Sequence, residues 1–331
     1  MAVKAELLGV SAKIEAEVPG NIVFLFPGQG VQKVGMGKAL YENSKIARRI
    51  LNQLEHVKPG LLDIMLDEPR EESINILDDT AYAQPAIVAV SLATYFAFFE
   101  TNPSFMEKRP FAFLGHSTSQ VSAMGAARVV DIEIALRIAA ERGRLMKEVG
   151  ERKKNKGGML ALLGATLEQA ELLCLRANTS EVLGGEEGIW VANDNTLDQI
   201  VLSGRENHIV YAMDHAEKVG IKKAKRLRVF IAAHCPLMEE ARGMFAQYLA
   251  HIRFKRPTSL IILNTTAKAT LNPDEIRADL VNGLTQGVKF REALQEAQRR
   301  GVKSFVEIGE GPLSGFAQKA VQDSKQVQIT P

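Results

Sequence analysis

The chain has 331 residues, of which 46% are hydrophobic and 24% charged, and its formal net charge is +2. This length allows one large domain or two unequal ones, and the near-neutral charge gives no global sign of nucleic-acid binding. Two cysteines, Cys174 and Cys235, are too few for a disulfide framework or a cysteine-rich metal site and favour a reducing compartment. The charged opening residues are atypical of a signal peptide, and no run approaches the roughly 18 apolar residues of a membrane span. We therefore expect a cytoplasmic protein with neither nucleic acid nor a membrane as partner.

Short apolar runs alternate with helical patterns in the first part of the chain. Residues 1–20 are polar and predict an N-terminal extension. The apolar run within 21–30 is broken by Pro-Gly and predicts a buried strand that ends in a loop. The next predicted elements are an apolar helix that starts after Gln84-Pro85, a strand at 111–115, a helix from Gln120 and a helix over 131–151.

A composition shift at 152–158 is the best candidate for a domain boundary. The patterns after it give the order strand, helix, strand, strand, helix, strand, which is typical of a ferredoxin-like unit. After this unit, strands and helices alternate again as they do before residue 152, and 304–309 is expected to be the last strand. We therefore predict an α/β fold in two parts. A larger α/β-hydrolase-like domain with a mostly parallel sheet spans 21–154 and 229–331, and a ferredoxin-like (βαββαβ) small domain is inserted at 155–228.

The segment Gly115-His116-Ser117-Thr118-Ser119 follows an apolar strand and precedes a helical pattern. It resembles the strand-to-helix nucleophile elbow G-x-S-x-G, with a serine in place of the last glycine. Such a turn projects the Ser117 hydroxyl at the carboxyl end of the sheet and points the Thr118 N–H to where an oxyanion would form. The alternative is that Ser117 or Ser119 simply caps the following helix. The pentapeptide alone leaves both interpretations open.

A glycine-rich loop, LFPGQGVQKVGMG, begins within the first predicted strand. It matches neither the G-x-x-x-x-G-K-[ST] pattern nor a G-x-G-x-x-G between strand and helix, so phosphate binding is weakly supported. Two interpretations remain: the loop brings a backbone N–H to a reacting carbonyl group, or it is a structural turn.

Six histidines are candidates for a general base. His234 stands at the end of an apolar strand-like run and follows the serine in chain order, as expected for a base in an α/β enzyme. The adjacent Cys235 is a poor candidate for a nucleophile because an apolar neighbourhood raises the pKa of a thiol. The histidines interpreted as solvated or packed at a helix edge are His56, His208, His215 and His251.

An arginine lies on the predicted inner face of the helix over 131–151. A buried Arg142 needs a partner, and its planar guanidinium group fits a substrate carboxylate. The alternative is an ion pair with Glu141 or Glu148 on the same helix.

Eight segments of the chain occur in the order expected of one family. The sequence resembles malonyl-CoA:acyl-carrier-protein transacylases and the related acyltransferases of polyketide assembly, over about residues 21–318. The segments that carry this resemblance are FLFPGQGVQKVGMG, YAQPAIVAVSLA, LGHS, ERGRLM, GGMLALLG, VANDNTLDQIVLSG, AAHCPLM and FVEIGEGPLSGF.

The resemblance implies a Ser-His dyad, with Ser117 as the nucleophile and His234 as the base. It implies an oxyanion hole formed by the backbone N–H groups of Gln29 and Thr118, and a clamp by Arg142 on the free carboxylate of a malonyl group. The implied reaction is ping-pong: CoA leaves an acyl-serine, and the phosphopantetheine thiol of an acyl carrier protein takes the acyl group. The family requires no metal or redox cofactor, and a carbonyl oxygen can orient its imidazole.

The chain departs from the family pattern at several positions. The usual elbow reads Gly-His-Ser-Leu-Gly-Glu, whereas this chain has Thr118, Ser119 and Gln120 after the serine. Gly283 stands where the family often has glutamine, and Gly309-Glu310-Gly311 replaces Gly-Pro-Gly. These departures leave the acyl specificity open, although the implied reacting residues are all present.

Three functions fit these residues. The leading hypothesis is an acyltransferase that loads malonyl groups for fatty-acid or polyketide synthesis. The second is a hydrolase that clears acyl groups from carrier proteins with the same dyad, for which the Arg142 clamp would be unnecessary. The third is a catalytically weak scaffold that binds a carrier protein, motivated by the altered elbow.

The basic run Lys222–Arg228 has two interpretations. It is either a positive rim that attracts an acidic carrier protein and the phosphates of CoA, or a solvated strand edge.

Overall fold

The computed structural model describes residues 22–102 and 110–330, so the extension predicted at 1–20 lies outside the described residues. The strands are β1 (Ile22–Phe26), β2 (Ala112–Gly115), β3 (Gly157–Leu163), β4 (Ile189–Thr196), β5 (Gln199–Arg205), β6 (Lys223–Arg226), β7 (Leu260–Ile262), β8 (Ala269–Thr270), β9 (Ser304–Ile308) and β10 (Lys325–Ile329). The α-helices are α1 (Lys38–Asn43), α2 (Lys45–Val57), α3 (Leu61–Leu66), α4 (Glu71–Asp78), α5 (Thr80–Thr101), α6 (Gln120–Ala126), α7 (Ile132–Gly150), α8 (Leu167–Asn178), α9 (Glu206–His215), α10 (Glu239–Ala250), α11 (Pro273–Asn282), α12 (Phe290–Arg299) and α13 (Leu313–Ala320).

Six strands form the main sheet in the order β10-β9-β1-β2-β7-β8. Strands β10, β9, β1, β2 and β7 run parallel, and β8 is antiparallel to β7. The run IVFLF of β1 is buried throughout, as expected for a central strand of a parallel sheet covered on both faces. Its register pairs Phe26 with Gly115 of β2, so the two strands end together. This carboxyl edge of the sheet carries the candidate site.

Alternate residues of β1 point into two hydrophobic cores on opposite faces of the sheet. Phe24 packs in the core that contains α2, α5 and α7, whereas Val23 and Leu25 pack in the core that contains α12 and α13. Side chains of α5 contact Phe24 edge-on, with ring centroids 5.4 Å apart for Tyr95. The sheet is therefore a rigid support for the loops at its edge.

Helix α5 is, within the described ranges, the one helix long and apolar enough to cross a membrane by length and composition, contrary to the expectation that no run approaches this length. A core helix of a soluble protein passes the same test, and in α5 83% of the most apolar window is buried inside the protein.

The predicted start of helix α5 after Gln84-Pro85 is wrong, because the helix begins at Thr80. The Asp79 side chain caps it by accepting from the Ala81 N–H at 2.9 Å, and the proline inside the helix removes a single N–H donor.

The second sheet has four antiparallel strands in the order β4-β5-β3-β6. With α8 and α9 packed on one face, this is the ferredoxin-like arrangement, and the predicted fold class is confirmed. Leu160 points toward these helices, whereas Met159, Ala161 and Val201 join the core of the main domain. The domain limits at 155–228 stay a prediction.

The prediction that the strand at 304–309 is the last one is wrong. Strand β10 pairs in parallel with β9 at the edge of the main sheet. Its sequence KQVQI alternates polar and apolar residues, and its glutamines are partly or fully exposed. Polar residues are expected on an edge strand, and they weaken its hydrophobic signal.

Candidate active site

The predicted elbow is present at the end of β2. Ser117 begins a short 3₁₀ turn, Ser117–Ser119, with a φ of +53°, a left-handed conformation that is uncommon outside glycine. A Cβ at Gly115 would overlap the Ser119 carbonyl group, so only glycine fits the turn. The Ser117 Oγ lies 2.7 Å from the His234 Nε2. Ser119 occupies the N-cap position of α6, but neither its side chain nor that of Ser117 makes a capping hydrogen bond, so capping does not account for the position of the Ser117 hydroxyl.

His234 lies opposite this serine in a loop that follows β6. Its φ is +61°, and its Nδ1 lies 2.5 Å from the carbonyl oxygen of Gly283. Because a carbonyl oxygen only accepts, Nδ1 carries the proton and Nε2 is free to accept from the Ser117 hydroxyl. Burial, together with the nearby positive charge of Arg142, lowers the pKa of His234 to about 3. The imidazole is therefore neutral at physiological pH.

The loop that carries Gln29 lies against the elbow. A Cβ at Gly28 would lie 2.6 Å from the His116 carbonyl oxygen, and the Ser119 hydroxyl donates to the Pro27 carbonyl oxygen at 2.6 Å. In the described part of the chain, no hydrogen bond is made by the backbone N–H of Gln29 or of Thr118. Both predicted oxyanion donors are therefore free to bind an acceptor.

Arg142 is buried on α7, where its Nη1 donates to the Gln84 Oε1 at 2.9 Å. Its Nε is buried and has no hydrogen-bond partner among the described residues. The alternative ion pair with Glu141 or Glu148 is wrong, because both carboxylates pair with Arg144, at 2.7 and 2.8 Å. Burial lowers the pKa of Arg142 to about 10, so the group remains a cation at neutral pH.

These side chains share one cavity of about 240 Å³ between the two sheets. The main domain contributes Gln29, Ser117, Arg142 and His234 to its lining. The small domain contributes mainly apolar side chains and amides, which are Met159, Ala161, Asn193, Asn195, Gln199 and Val201. The cavity therefore has one reactive wall and one covering wall.

Several polar residues at this site were missed by sequence reasoning. Asn264, just after β7, accepts from the Ser117 N–H at 2.8 Å and donates to the Gly115 carbonyl oxygen at 2.8 Å. Asp279 of α11 accepts from the Asn264 N–H at 2.9 Å. The His116 Nε2 lies 2.9 Å from the Asn195 Oδ1, across the domain interface. A polar residue directly after a buried strand, as at Asn264, is the signal that was available.

The remaining sequence candidates lie apart from the reacting atoms or are inert. Burial raises the pKa of the Cys235 thiol to about 11, which keeps it protonated. His56 and His251 are exposed, and His215 stacks on Tyr211, as predicted. The prediction for His208 is wrong: it is buried, and its Nε2 lies 3.0 Å from the Glu186 carbonyl oxygen.

The basic run Lys222–Arg228 borders a second, wider cleft. In it, Arg226 pairs with Glu206, and Arg228 pairs with Asp78 at 2.7 Å. This cleft of about 670 Å³ shares lining residues, among them Gln29, with the smaller cavity. Positive charge thus lies beside one approach to the site.

The fold and the site define an α/β protein of the class that includes serine acyltransferases and hydrolases, with a serine-histidine pair at the carboxyl end of a parallel sheet. The sequence model of the acyl transferase domain family matches residues 23–329. The chain belongs to this family and is an acyltransferase.

Individual relatives resemble the chain over almost its whole length. The malonyl CoA-acyl carrier protein transacylase of Bacillus subtilis (strain 168) is 31% identical over 313 residues, which are 94% of this chain and 93% of that protein. The acyl-carrier-protein S-malonyltransferase of Bartonella henselae is 30% identical, with a TM-score of 0.85 over 94% of this chain and 96% of the other. A type II PKS acyl-carrier protein in complex with its malonyl-transacylase gives 27% identity and a TM-score of 0.83, over 94% and 96% of the two chains.

Proposed function

We propose that this acyltransferase moves a malonyl or related group from CoA to the phosphopantetheine thiol of an acyl carrier protein through an acyl-Ser117 intermediate. The observation that carries the proposal is the 2.7 Å contact between the Ser117 Oγ and the His234 Nε2, in a cavity that Arg142 also lines. The names of the malonyl transacylase relatives and the complex of one of them with a carrier protein support the same substrates.

The first half-reaction acylates the serine. The Ser117 Oγ attacks the thioester carbonyl carbon, and the His234 Nε2 takes the hydroxyl proton. The free N–H groups of Gln29 and Thr118 bind the oxyanion of the tetrahedral intermediate. The carbon–sulfur bond then breaks, and the CoA sulfur leaves with the proton that His234 held. No redox or metal cofactor is needed to balance this step.

The second half-reaction reverses these roles. The thiol of the carrier's phosphopantetheine attacks the acyl-Ser117 ester, and His234 takes the thiol proton and returns it to the Ser117 oxygen. The Gly283 carbonyl oxygen keeps the imidazole in the required tautomer at both stages, so no aspartate is needed as a third member. The base is neutral before each attack, because burial keeps its pKa low.

Arg142 selects the acyl group in this proposal. Its guanidinium group is buried, lacks a carboxylate partner among the described residues and has one N–H group without any acceptor. A buried cation in this condition gains most from a ligand that brings a negative charge and hydrogen-bond acceptors. The free carboxylate of a malonyl group supplies both, whereas an acetyl group supplies neither.

The carrier protein and CoA would approach along the basic cleft. Lys225, Arg226 and Arg228 line this cleft, and an acidic carrier or the phosphates of CoA would be attracted to their charge. Both arginines are already paired with carboxylates, so the attraction would act mainly on the rate of encounter and weaken with salt. We also propose a cytoplasmic location, because CoA and the carrier protein are soluble substrates.

The test is intact-protein mass spectrometry after brief mixing with malonyl-CoA, acetyl-CoA or a longer acyl-CoA, for the wild type and Ser117→Ala. We expect a malonyl adduct on the wild type and none on the variant. The acylated protein is then divided between buffer and a solution of carrier protein that bears phosphopantetheine. Rapid discharge to the carrier supports transfer, equally rapid discharge to buffer supports a hydrolase, and an absence of adduct with any acyl-CoA supports a scaffold.

A further inference from the structure

The backbone of Ser117 needs support from its surroundings. A left-handed φ at a residue other than glycine is strained, and it persists only where neighbouring contacts enforce it. Here the Asn264 side chain supplies two such contacts, one to the Ser117 N–H and one to the Gly115 carbonyl oxygen, each at 2.8 Å. One amide group therefore fixes the turn that projects the hydroxyl.

Asn264 is itself held by a buried carboxylate. The Asp279 Oδ2 accepts from the Asn264 N–H at 2.9 Å, and the Oδ1 accepts from the Thr265 N–H at 2.8 Å and lies 2.6 Å from the Thr265 hydroxyl. Burial raises the pKa of Asp279, and these hydrogen bonds oppose the shift. All its hydrogen-bond partners in the described ranges are uncharged, so backbone and side-chain dipoles stabilise the carboxylate.

The main chain of Asp279 reaches the other member of the pair. Its carbonyl oxygen accepts from the Gly283 N–H at 2.8 Å, at the end of α11. The carbonyl oxygen of Gly283 in turn accepts from the His234 Nδ1. This main-chain bond would form with any side chain at position 279, so the end of α11 places Gly283, whereas the Asp279 side chain supports the serine.

Gln120 is matched to this carboxylate. Its Nε2 lies 3.5 Å from the Asp279 Oδ2 and 3.1 Å from the Ile262 carbonyl oxygen, and its Oε1 accepts from the Asn264 Nδ2 at 3.1 Å. A glutamate at position 120 would put a second carboxylate against the first, which disfavours the ionised form of one of them. The Asp279 carboxylate on α11 therefore favours a neutral amide, as in Gln120, at this position of the elbow.

We propose that Asp279 is a positioning residue whose carboxylate, through Asn264, holds Ser117 in register with His234, and that Gln120 is the neutral partner this carboxylate requires. The inference rests on the proposed function, because it concerns the pair that carries the acyl group. It also predicts that a carboxylate at position 120 is tolerated better when position 279 carries a neutral amide, because the two side chains lie 3.5 Å apart.

The test compares Asp279→Asn, Gln120→Glu and the double variant in the full chain. Two rates are measured: single-turnover malonylation by malonyl-CoA, and phosphonylation by a fluorophosphonate, in which the Ser117 Oγ displaces fluoride and releases its proton. Each single variant should slow both rates by about 10-fold or more, because each leaves a buried group mispaired, with the KM for malonyl-CoA little changed. The double variant should be faster than the slower single variant, since it removes the contact between two carboxylates. It should stay slower than the wild type, since a glutamate at position 120 cannot donate to the Ile262 carbonyl oxygen and an asparagine at position 279 offers one acceptor oxygen fewer to the N–H groups of Asn264 and Thr265. Glu275→Gln, which removes an exposed carboxylate from the same helix, is the control.

Two results would overturn the inference: wild-type rates in both single variants, or a double variant no faster than the slower single one. If Asp279→Asn does not fold, Thr265→Val removes one hydroxyl contact to the carboxylate and should slow phosphonylation by about threefold, and no change would overturn the proposal. Phosphonylation needs no acyl donor. Normal labelling without a malonyl adduct would therefore refute the proposed function while still testing the position of the pair.

Discussion

The two walls of the cavity are built in different ways. On the main-domain wall, Ser117 and His234 both have left-handed backbones, and hydrogen bonds fix each of them to polar groups beneath. On the small-domain wall, Met159, Ala161 and Val201 come from regular antiparallel strands and offer apolar surface. The comparison indicates that reactivity depends on a strained, polar support, whereas the covering wall supplies shape and excludes water.

Strand β4 ties the two walls together. Asp194 of β4 forms an ion pair with Arg291 of α12, at 2.6 Å, and its N–H donates to the Val288 carbonyl oxygen at 2.9 Å. The carboxylate is almost fully buried in this pair. The small domain is therefore joined to the main domain at β4, and its sheet extends from there over the cavity.

The largest expected effect is on the reactive wall. Ser117→Ala and His234→Ala should each lower the rate of malonyl transfer by about 10⁴-fold, because each removes one half of the same proton transfer. The double variant should be little worse than either single one. Steady-state transfer from malonyl-CoA to a carrier protein measures this, and a His234→Ala variant that retains a tenth of the rate would contradict the role of the base.

The burial of His234 should make the free energy of unfolding depend on pH. The folded pKa of His234 is about 3 and the ordinary value is 6.5, so the unfolded chain binds more protons between these values. The contribution of His234 to stability is present above pH 6.5 and is lost as the pH falls toward 3, by at most about 1.4 kcal/mol per pH unit. Urea unfolding between pH 4 and 7 should therefore show a shallower dependence on pH for His234→Gln than for the wild type. Equal slopes would contradict the burial of a neutral imidazole.

A smaller effect is expected where the elbow meets the oxyanion loop. Ser119→Ala removes the hydroxyl that donates to the Pro27 carbonyl oxygen and should slow acylation by about threefold to tenfold. Ser122→Ala is a matched control on the adjacent turn, because its buried hydroxyl has no hydrogen-bond partner in the described structure. Single-turnover malonylation compares the two, and equal rates would remove Ser119 from the support of the oxyanion site.

The smallest effect is expected from the covering wall. Ala161→Leu narrows the cavity and should raise the KM for malonyl-CoA by a few-fold, with kcat within about twofold of the wild type, because it changes binding rather than chemistry. Leu175→Ala, on the opposite, solvent-exposed side of the small domain, should leave both constants unchanged. A large fall in kcat for Ala161→Leu would show that the apolar wall also shapes the reacting geometry.

The sequence predicts those parts of the molecule whose signal lies in local pattern. The buried runs of β1 and β2 predict the parallel sheet, and the order of strands and helices within 155–228 predicts the ferredoxin-like unit. The small residues around Ser117 predict the elbow. His234 was found because it follows an apolar run at the place in chain order where a base is expected. These features need only residues close together in sequence.

The remaining parts depend on contacts that local pattern does not encode. The Gly283 carbonyl oxygen orients His234 through its main chain, 49 positions away, and a backbone group has no residue type to mark it. Asp279 acts from a helix that reads as an ordinary amphipathic segment, and its role appears only when α11 packs beside Asn264. The start of α5 was misplaced because the Asp79 cap outweighs the usual preference for proline in the first turn.

The central claim is that one cavity joins a nucleophilic serine to a cation that selects a carboxylated acyl group. The most direct measurement is the ratio of single-turnover acylation rates for malonyl-CoA and acetyl-CoA, in the wild type and in Arg142→Ala. The wild type should favour malonyl-CoA by about 100-fold or more, and the ratio in the variant should fall to near one because a charged hydrogen-bonded pair is lost. A wild type without preference, or a variant that keeps the wild-type ratio, would contradict the account.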